Sequence, residues 1–299
     1  MEPQIQYAQT TDGVSIACST LGEGVPLVIM PNIPFGHIQL EWQIPEYRDW
    51  YQRLAEKRKL VRYDSRGQGL SDRDVAEYSL DAWLLDLEAA VDHLSLERFA
   101  LFAPLHSGPV AIAYAARRPQ RVSHLVLWCT WAKTSDPPWA KALDEMVTKD
   151  WEMATETVAR GILGWSEDEE ARNLAAFMRE SVTPDAVMAL STAADEFDVT
   201  HLLGQVRVPT LVLHRRETAF PEVGVARELA SRIPDARLAL LEGQSPLPFM
   251  DDVEPVLTAI DEFLGEGEEA AAKAELPEGM AVILFADIVE STALTEQLG

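Results

Sequence analysis

The feature that most constrains this chain is a repeated alternation of short apolar runs with longer amphipathic stretches. Runs rich in Val, Leu and Phe fall at 26–30, 59–63, 99–103, 124–129, 210–214 and 236–241. They are too short for independent helices and too continuous for half-exposed strands, so they read as strands buried on both faces. Between them, 80–96, 110–118, 223–232 and 253–264 carry apolar residues at helical spacing. Strand and helix in regular turn predict an α/β domain with a mostly parallel, twisted sheet flanked by helices.

Two departures from the alternation are informative. At the start, 5–10 and 14–20 flank Asp12-Gly13, a turn dipeptide, and predict an antiparallel hairpin. From about 132 to 205 the strands stop. That interval holds only helical patterns, at 139–155, 167–181 and 184–193, with acidic faces, and it is entered through Asp136-Pro137-Pro138. It predicts a helical insertion lying over the sheet.

Composition enters as a filter on function. With 49 acidic and 25 basic residues the net charge is −24, a surface that repels phosphate backbones and anionic lipid. No nucleic acid and no membrane are therefore expected as partners. Two cysteines, Cys18 and Cys129, cannot build a disulfide framework and suit a reducing compartment. The first residues lack a basic start followed by an apolar run, so no signal peptide is expected and the predicted location is cytoplasmic.

Past 264 the character changes. Residues 265–279 are rich in Glu, Ala and Gly and read as a linker or exposed helix. One more apolar run, 280–285, precedes Ala286-Asp287-Ile288-Val289-Glu290-Ser291-Thr292. A single strand with part of a helix cannot bury a core, so 280–299 reads as the start of a further domain. The expected organisation is a domain over 1–264 with a cap at 132–205, a linker, and this fragment.

The string Tyr63-Asp64-Ser65-Arg66-Gly67-Gln68-Gly69-Leu70-Ser71 follows a predicted strand and precedes a helix. Here the chain resembles the α/β-hydrolase fold family, in which this pattern forms the turn after the fourth strand. The resemblance extends over about 5–264 and makes the insertion a cap.

In that family the nucleophile stands on a sharp elbow between the fifth strand and its helix, flanked by small residues. Read without gaps, the elbow is Ala103-Pro104-Leu105-His106-Ser107-Gly108, which places Leu105 at the nucleophile position. The family's histidine follows the last strand. The matching segment, Glu242-Gly243-Gln244-Ser245-Pro246, puts Pro246 there. Glu217, after the seventh strand, is the best match to the acid. Leucine has no attacking lone pair and proline no titratable group, so the triad positions Leu105, Glu217 and Pro246 are expected to be incompetent. A rival register makes Ser107 the nucleophile and requires a longer strand and a shorter helix. With Leu105 on its floor, the former active site is expected to be an apolar pocket. Asn32, Ile33, Leu105, His106, Trp128 and Trp131 would line it, and its guest would be a small apolar ligand.

The tail resembles the first strand and turn of class III nucleotide cyclases, whose first aspartate binds two divalent ions. That resemblance implies Asp287 and the Ile288 carbonyl as ligands for Mg2+ or Mn2+ in a complete cyclase domain. It also implies a homodimer formed through that domain, with no cofactor for 1–264. Together the two resemblances predict a pseudoenzyme: a silent, ligand-sensing regulatory domain of an adenylate or guanylate cyclase, acting in cyclic nucleotide signal transduction. An active, esterase-like hydrolase using Ser107 and a pure interaction scaffold are the alternatives.

Overall fold

A computed structural model describes residues 2–134, 140–163 and 168–274. The opening hairpin is β1 (Ile5–Gln9) against β2 (Ser15–Leu21), antiparallel, with Tyr7 opposite Ala17. The remaining strands are β3 (Pro26–Ile29), β4 (Lys59–Tyr63), β5 (Phe99–Pro104), β6 (Val122–Trp128), β7 (Thr210–Arg215) and β8 (Ala236–Leu241). β8, expected to be buried on both faces, is instead the edge strand of the sheet, and none of its residues is buried. They form an eight-stranded sheet in the order β1-β2-β4-β3-β5-β6-β7-β8, parallel from β4 to β8. The fold is the α/β-hydrolase fold expected from the turn motif. Its central strands are buried on both faces because helices cover both, which is why they read as continuous apolar runs.

The helices are α1 (Ile38–Glu41), α2 (Pro45–Ala55), α3 (Leu80–His93), α4 (Ser107–Arg117), α5 (Ala140–Lys149), α6 (Trp151–Leu163), α7 (Asp168–Ser181), α8 (Pro184–Asp195), α9 (Val223–Arg232) and α10 (Glu254–Ala274). α5 to α8 make the insertion, so the pattern at 139–155 is split in two near Asp150, whose amide closes the first helix on the Met146 carbonyl and whose side chain caps the second by accepting the Met153 amide. α2 is absent from the sequence reading. Its Pro45 start and the buried residues Tyr47, Trp50, Tyr51 and Leu54 give a helical stripe between β3 and β4.

Two apolar cores lie on opposite faces of the sheet. One holds Val28, Val61, Trp83, Leu101 and Leu127 under α3, α4 and α9. The other holds Leu27, Leu60, Trp50, Phe102 and Trp128 under α2 and the first part of α10. The compact unit ends at Leu264. Asp136, Trp139, and the predicted strand and metal residues Asp287 and Ile288 lie outside the described residues. Among the described residues no helix is long and apolar enough to cross a membrane.

Candidate active site

β5 runs straight into α4, and the reversal is made by one residue. Leu105 has φ +47°, a left-handed conformation that costs a leucine about 1–2 kcal/mol. Its backbone is held on both sides: its N–H donates to the Trp128 carbonyl at 3.1 Å, and its own carbonyl accepts from the Thr130 hydroxyl. A Cβ on Gly108 would collide with that same hydroxyl, so glycine is required for α4 to approach β6. The elbow is thus at Leu105, in the ungapped register. Ser107 is the first residue of α4, and β5 is not lengthened toward it.

Ser107 is fully buried, and its Oγ donates to the carbonyl of Pro31, in the loop after β3. That loop is fixed by the motif that revealed the fold. The Asp64 carboxylate accepts the Ile38 and Leu70 amides, both at 2.8 Å, while Gln68 Oε1 accepts the Gly36 amide at 3.3 Å. At Gly69, with φ +59°, a Cβ would strike the same carboxylate. Burial pushes the Asp64 acid up to about 7, against the lowering effect of those amides.

His106 packs edge-on against Trp131 with ring centroids 4.8 Å apart, and its Nδ1 is buried without a hydrogen-bond partner. Burial pulls the imidazole down to about 4, with the Ile33 backbone opposing, so it is neutral at neutral pH. Trp131 in turn packs on Phe220 at 5.2 Å. Trp128 is fully buried, and its Nε1 donates to the Pro246 carbonyl at 2.7 Å.

A cavity of about 40 Å³ opens at the elbow. Asn32, Leu105 and Pro246 line it; Ile33, His106, Trp128 and Trp131 do not. The two tryptophans expected as its walls therefore serve elsewhere: Trp128 backs the Pro246 loop, and Trp131 fills the space between His106 and Phe220. Of the three triad positions, Leu105 and Pro246 meet at this cavity. Glu217 stands on the surface, where its carboxylate accepts from the Gln244 side-chain amide at 3.0 Å.

The cavity also has polar walls that the sequence reading missed. Glu41, Tyr51 and Arg62 line it as a buried cluster. Glu41 Oε2 accepts from the Tyr51 hydroxyl at 2.7 Å and from the Arg62 guanidinium. Its Oε1 accepts the His37 amide at 3.1 Å. Burial holds the Tyr51 phenol well above its usual range. Arg62 is an arginine at a buried position of β4, beyond the apolar pair Leu60-Val61, which was the available signal. Among the described residues no three His, Cys, Asp or Glu side chains converge to hold a metal.

A strained strand-to-helix elbow, a loop from the end of β3 beside it and a helical insertion define the molecule as an α/β hydrolase in architecture. The serine aminopeptidase S33 family matches residues 43–245, more than half of the chain, and the protein belongs to that family. It is 25% identical to the AB hydrolase superfamily protein YisY of Bacillus subtilis, across 86% of this chain and 98% of that protein. It is 28% identical to the pimeloyl-[acyl-carrier protein] methyl ester esterase of Nitrosomonas europaea, across 70% of this chain and 86% of the esterase. An esterase from Thermogutta terrifontis shares the fold with a TM-score of 0.74 and 22% identity, covering 88% of this chain and 99% of that one.

These relationships correct the functional expectation. The family and the relatives just named are hydrolases and esterases, and nothing in them indicates a regulatory domain of a nucleotide cyclase. The eight-residue string around Asp287 was too short to carry that inference. Cyclic nucleotide signalling falls with it, and the pseudoenzyme reading, which rested on Leu105, Glu217 and Pro246, finds no support in a family and relatives that are hydrolases.

Proposed function

We propose that the protein hydrolyses a small carboxylic ester or related acyl compound, with Ser107 supplying the attacking hydroxyl. The observation that carries this reading is the elbow, bound to a chain whose family and relatives are hydrolases. Leu105 adopts the strained conformation that elsewhere presents a nucleophile, and it does so next to a cavity and the head of a helix. The head of α4 carries the positive end of the helix dipole, with its Gly108 amide donating to the Leu105 carbonyl at 3.1 Å. An acyl oxygen placed there would be stabilised as it gains charge.

Leu105 itself has no nucleophilic atom, so the hydroxyl must come from a neighbour. Ser107 lies two residues on, in the first turn of α4 rather than at the elbow, and its Oγ is tied to the loop after β3 through Pro31. His106 is the adjacent proton acceptor: it is neutral, and its Nδ1 is free of partners. In this scheme the Ser107 oxygen bonds to the acyl carbon, His106 takes the hydroxyl proton, and the alcohol leaves with a proton. Water then releases the acid and restores the serine.

The test is hydrolysis of p-nitrophenyl acetate by the wild-type chain and by Ser107→Ala. Turnover by the wild type that falls about a hundredfold or more in the variant supports the reading. Absence of turnover in the wild type, or an unchanged rate in the variant, overturns it.

A further inference from the structure

The small cavity at the elbow is adjacent to a second, larger space. A cleft of about 490 Å³ lies between α7 and the α1–α2 segment, and it opens over the loop after β8. Three side chains line both spaces: Tyr47, Leu247 and Phe249. The Tyr47 and Phe249 rings are 4.1 Å apart between centroids and tilted at 46°, so they are in direct contact.

We propose that Tyr47 and Phe249 form a partition that limits the acyl part of the substrate to a few carbons. The larger remainder of the molecule would be left to the outer cleft. This inference rests on the reading of the protein as an acyl hydrolase, and it names that site's substrate class: short-chain acyl compounds. The volumes carry the first half of the argument. A single water requires about 10–15 Å³ on this measure, so the inner space of about 40 Å³ holds roughly three or four heavy atoms. An acetyl or propionyl group fits; an octanoyl chain does not. The outer cleft is more than ten times larger and could hold such a chain, but the two rings stand between it and Leu105.

Rigidity carries the second half, because a mobile ring would be a poor sieve. Tyr47 is 5% exposed and is packed on three sides, by Phe249, by Tyr51 at 6.2 Å and by Phe177 of α7 at 6.0 Å. Phe249 sits between two residues whose carbonyls are held by one buried guanidinium. Arg215 donates to the Pro248 carbonyl at 3.4 Å and to the Met250 carbonyl. The same arginine pairs with Asp251 at 2.9 Å. The Asp251 carboxylate accepts the Gln244 and Ser245 amides at 3.0 and 2.9 Å, which closes the loop on itself. The partition is therefore pinned from the sheet on one side and from the cap on the other.

Two measurements test it. The first is the ratio of kcat/KM for p-nitrophenyl octanoate to that for p-nitrophenyl acetate, in the wild type and in Phe249→Ala. Removing the ring joins the spaces, and the ratio is expected to rise about tenfold or more in favour of octanoate. The second is calorimetric binding of 2-octanone, a carbonyl compound that cannot be hydrolysed. Its affinity is expected to rise about fivefold or more in the variant. If the wild type hydrolyses neither ester but the ketone binds more tightly to Phe249→Ala, the catalytic reading fails and the partition stands. Unchanged ketone affinity overturns the partition, whatever the esters do; so does an unchanged ester ratio where turnover is measurable. Should Phe249→Ala fail to fold, Phe249→Leu, which shortens the side chain without emptying the site, replaces it in both measurements: a rise in either supports the partition, and unchanged ketone affinity overturns it.

Discussion

At the scale of single residues, the turn motif shows how buried charge fixes a backbone. Arg66 is 1% exposed and Asp86 is fully buried. The Asp86 carboxylate accepts Arg66 Nε at 2.8 Å and the Arg66 amide at 3.0 Å, and Asp12 takes the outer face of the guanidinium at 2.8 Å. Removing one member of such a pair strands the other charge away from water. Asp86→Ala is therefore expected to cost about 3–5 kcal/mol in urea denaturation. Asp12 is more exposed and solvent screens its pairing, so Asp12→Ala is expected to cost about 1 kcal/mol or less. Similar costs for the two variants would mean that the inner pairing is no stronger than the outer one. The motif is legible in sequence because it is local. Its residues lie within one turn, and the glycines that permit the turn stand beside the charges that tie it.

At the scale of elements, the strands were legible and the cavity was not. Strands buried on both faces announce themselves as apolar runs, and β4 and β7 begin where the pattern put them. The Asp12-Gly13 hairpin and the ungapped elbow were readable for the same reason, since each is a property of a few consecutive residues. The cavity is assembled from α1, α2, β3, β4, β5 and the loop after β8, and no local pattern reports that meeting. Trp128 and Trp131 illustrate the cost of reading a wall from composition. Both are near the elbow in sequence, yet Trp128 packs with Trp50 and Phe102 on one face of the sheet, while Trp131 meets His106 and Phe220. The loop after β8 supplies the prediction at this scale. Arg215 is fully buried and serves as its anchor, donating to backbone carbonyls and to Asp251. Arg215→Met keeps much of the side-chain volume and removes the donors. The Gln244 and Ser245 amides, which are bonded to Asp251, should then exchange their hydrogens about tenfold faster, the equivalent of one charge-assisted bond at ~1.5 kcal/mol. Unchanged exchange would show that the loop holds itself without the arginine.

At the scale of the whole molecule, two buried acids and the net charge act in the same direction on stability. Burial raises Asp64 to about 7 and Asp86 to about 6, from an ordinary value of 3.8. A carboxyl whose folded pKa lies above its unfolded one binds its proton more tightly in the native state. Between about pH 4 and pH 7 the native protein holds protons that the unfolded chain has released, so stability falls as pH rises through that window. The formal charge of −24 works alike, because acidification relieves repulsion that is stronger in the compact state. Acids lowered by exposed partners, such as Asp198 beside Thr200 and Lys133, oppose this only weakly, since solvent screens them. The urea midpoint is therefore expected to be higher at about pH 5.5 than at about pH 7.5, the reverse of a protein stabilised by paired surface carboxylates. Salt separates the two causes. Added sodium chloride should shrink the part due to net charge, because that repulsion acts through solvent over distances near the Debye length. The part due to Asp64 and Asp86 is shielded by burial and should persist. Asp64→Asn removes one of those titrations, so at high salt its midpoint should change less with pH than that of the wild type. Equal pH dependence in the two proteins at high salt would mean that Asp64 is already ionised in the native state, held so by the Ile38 and Leu70 amides.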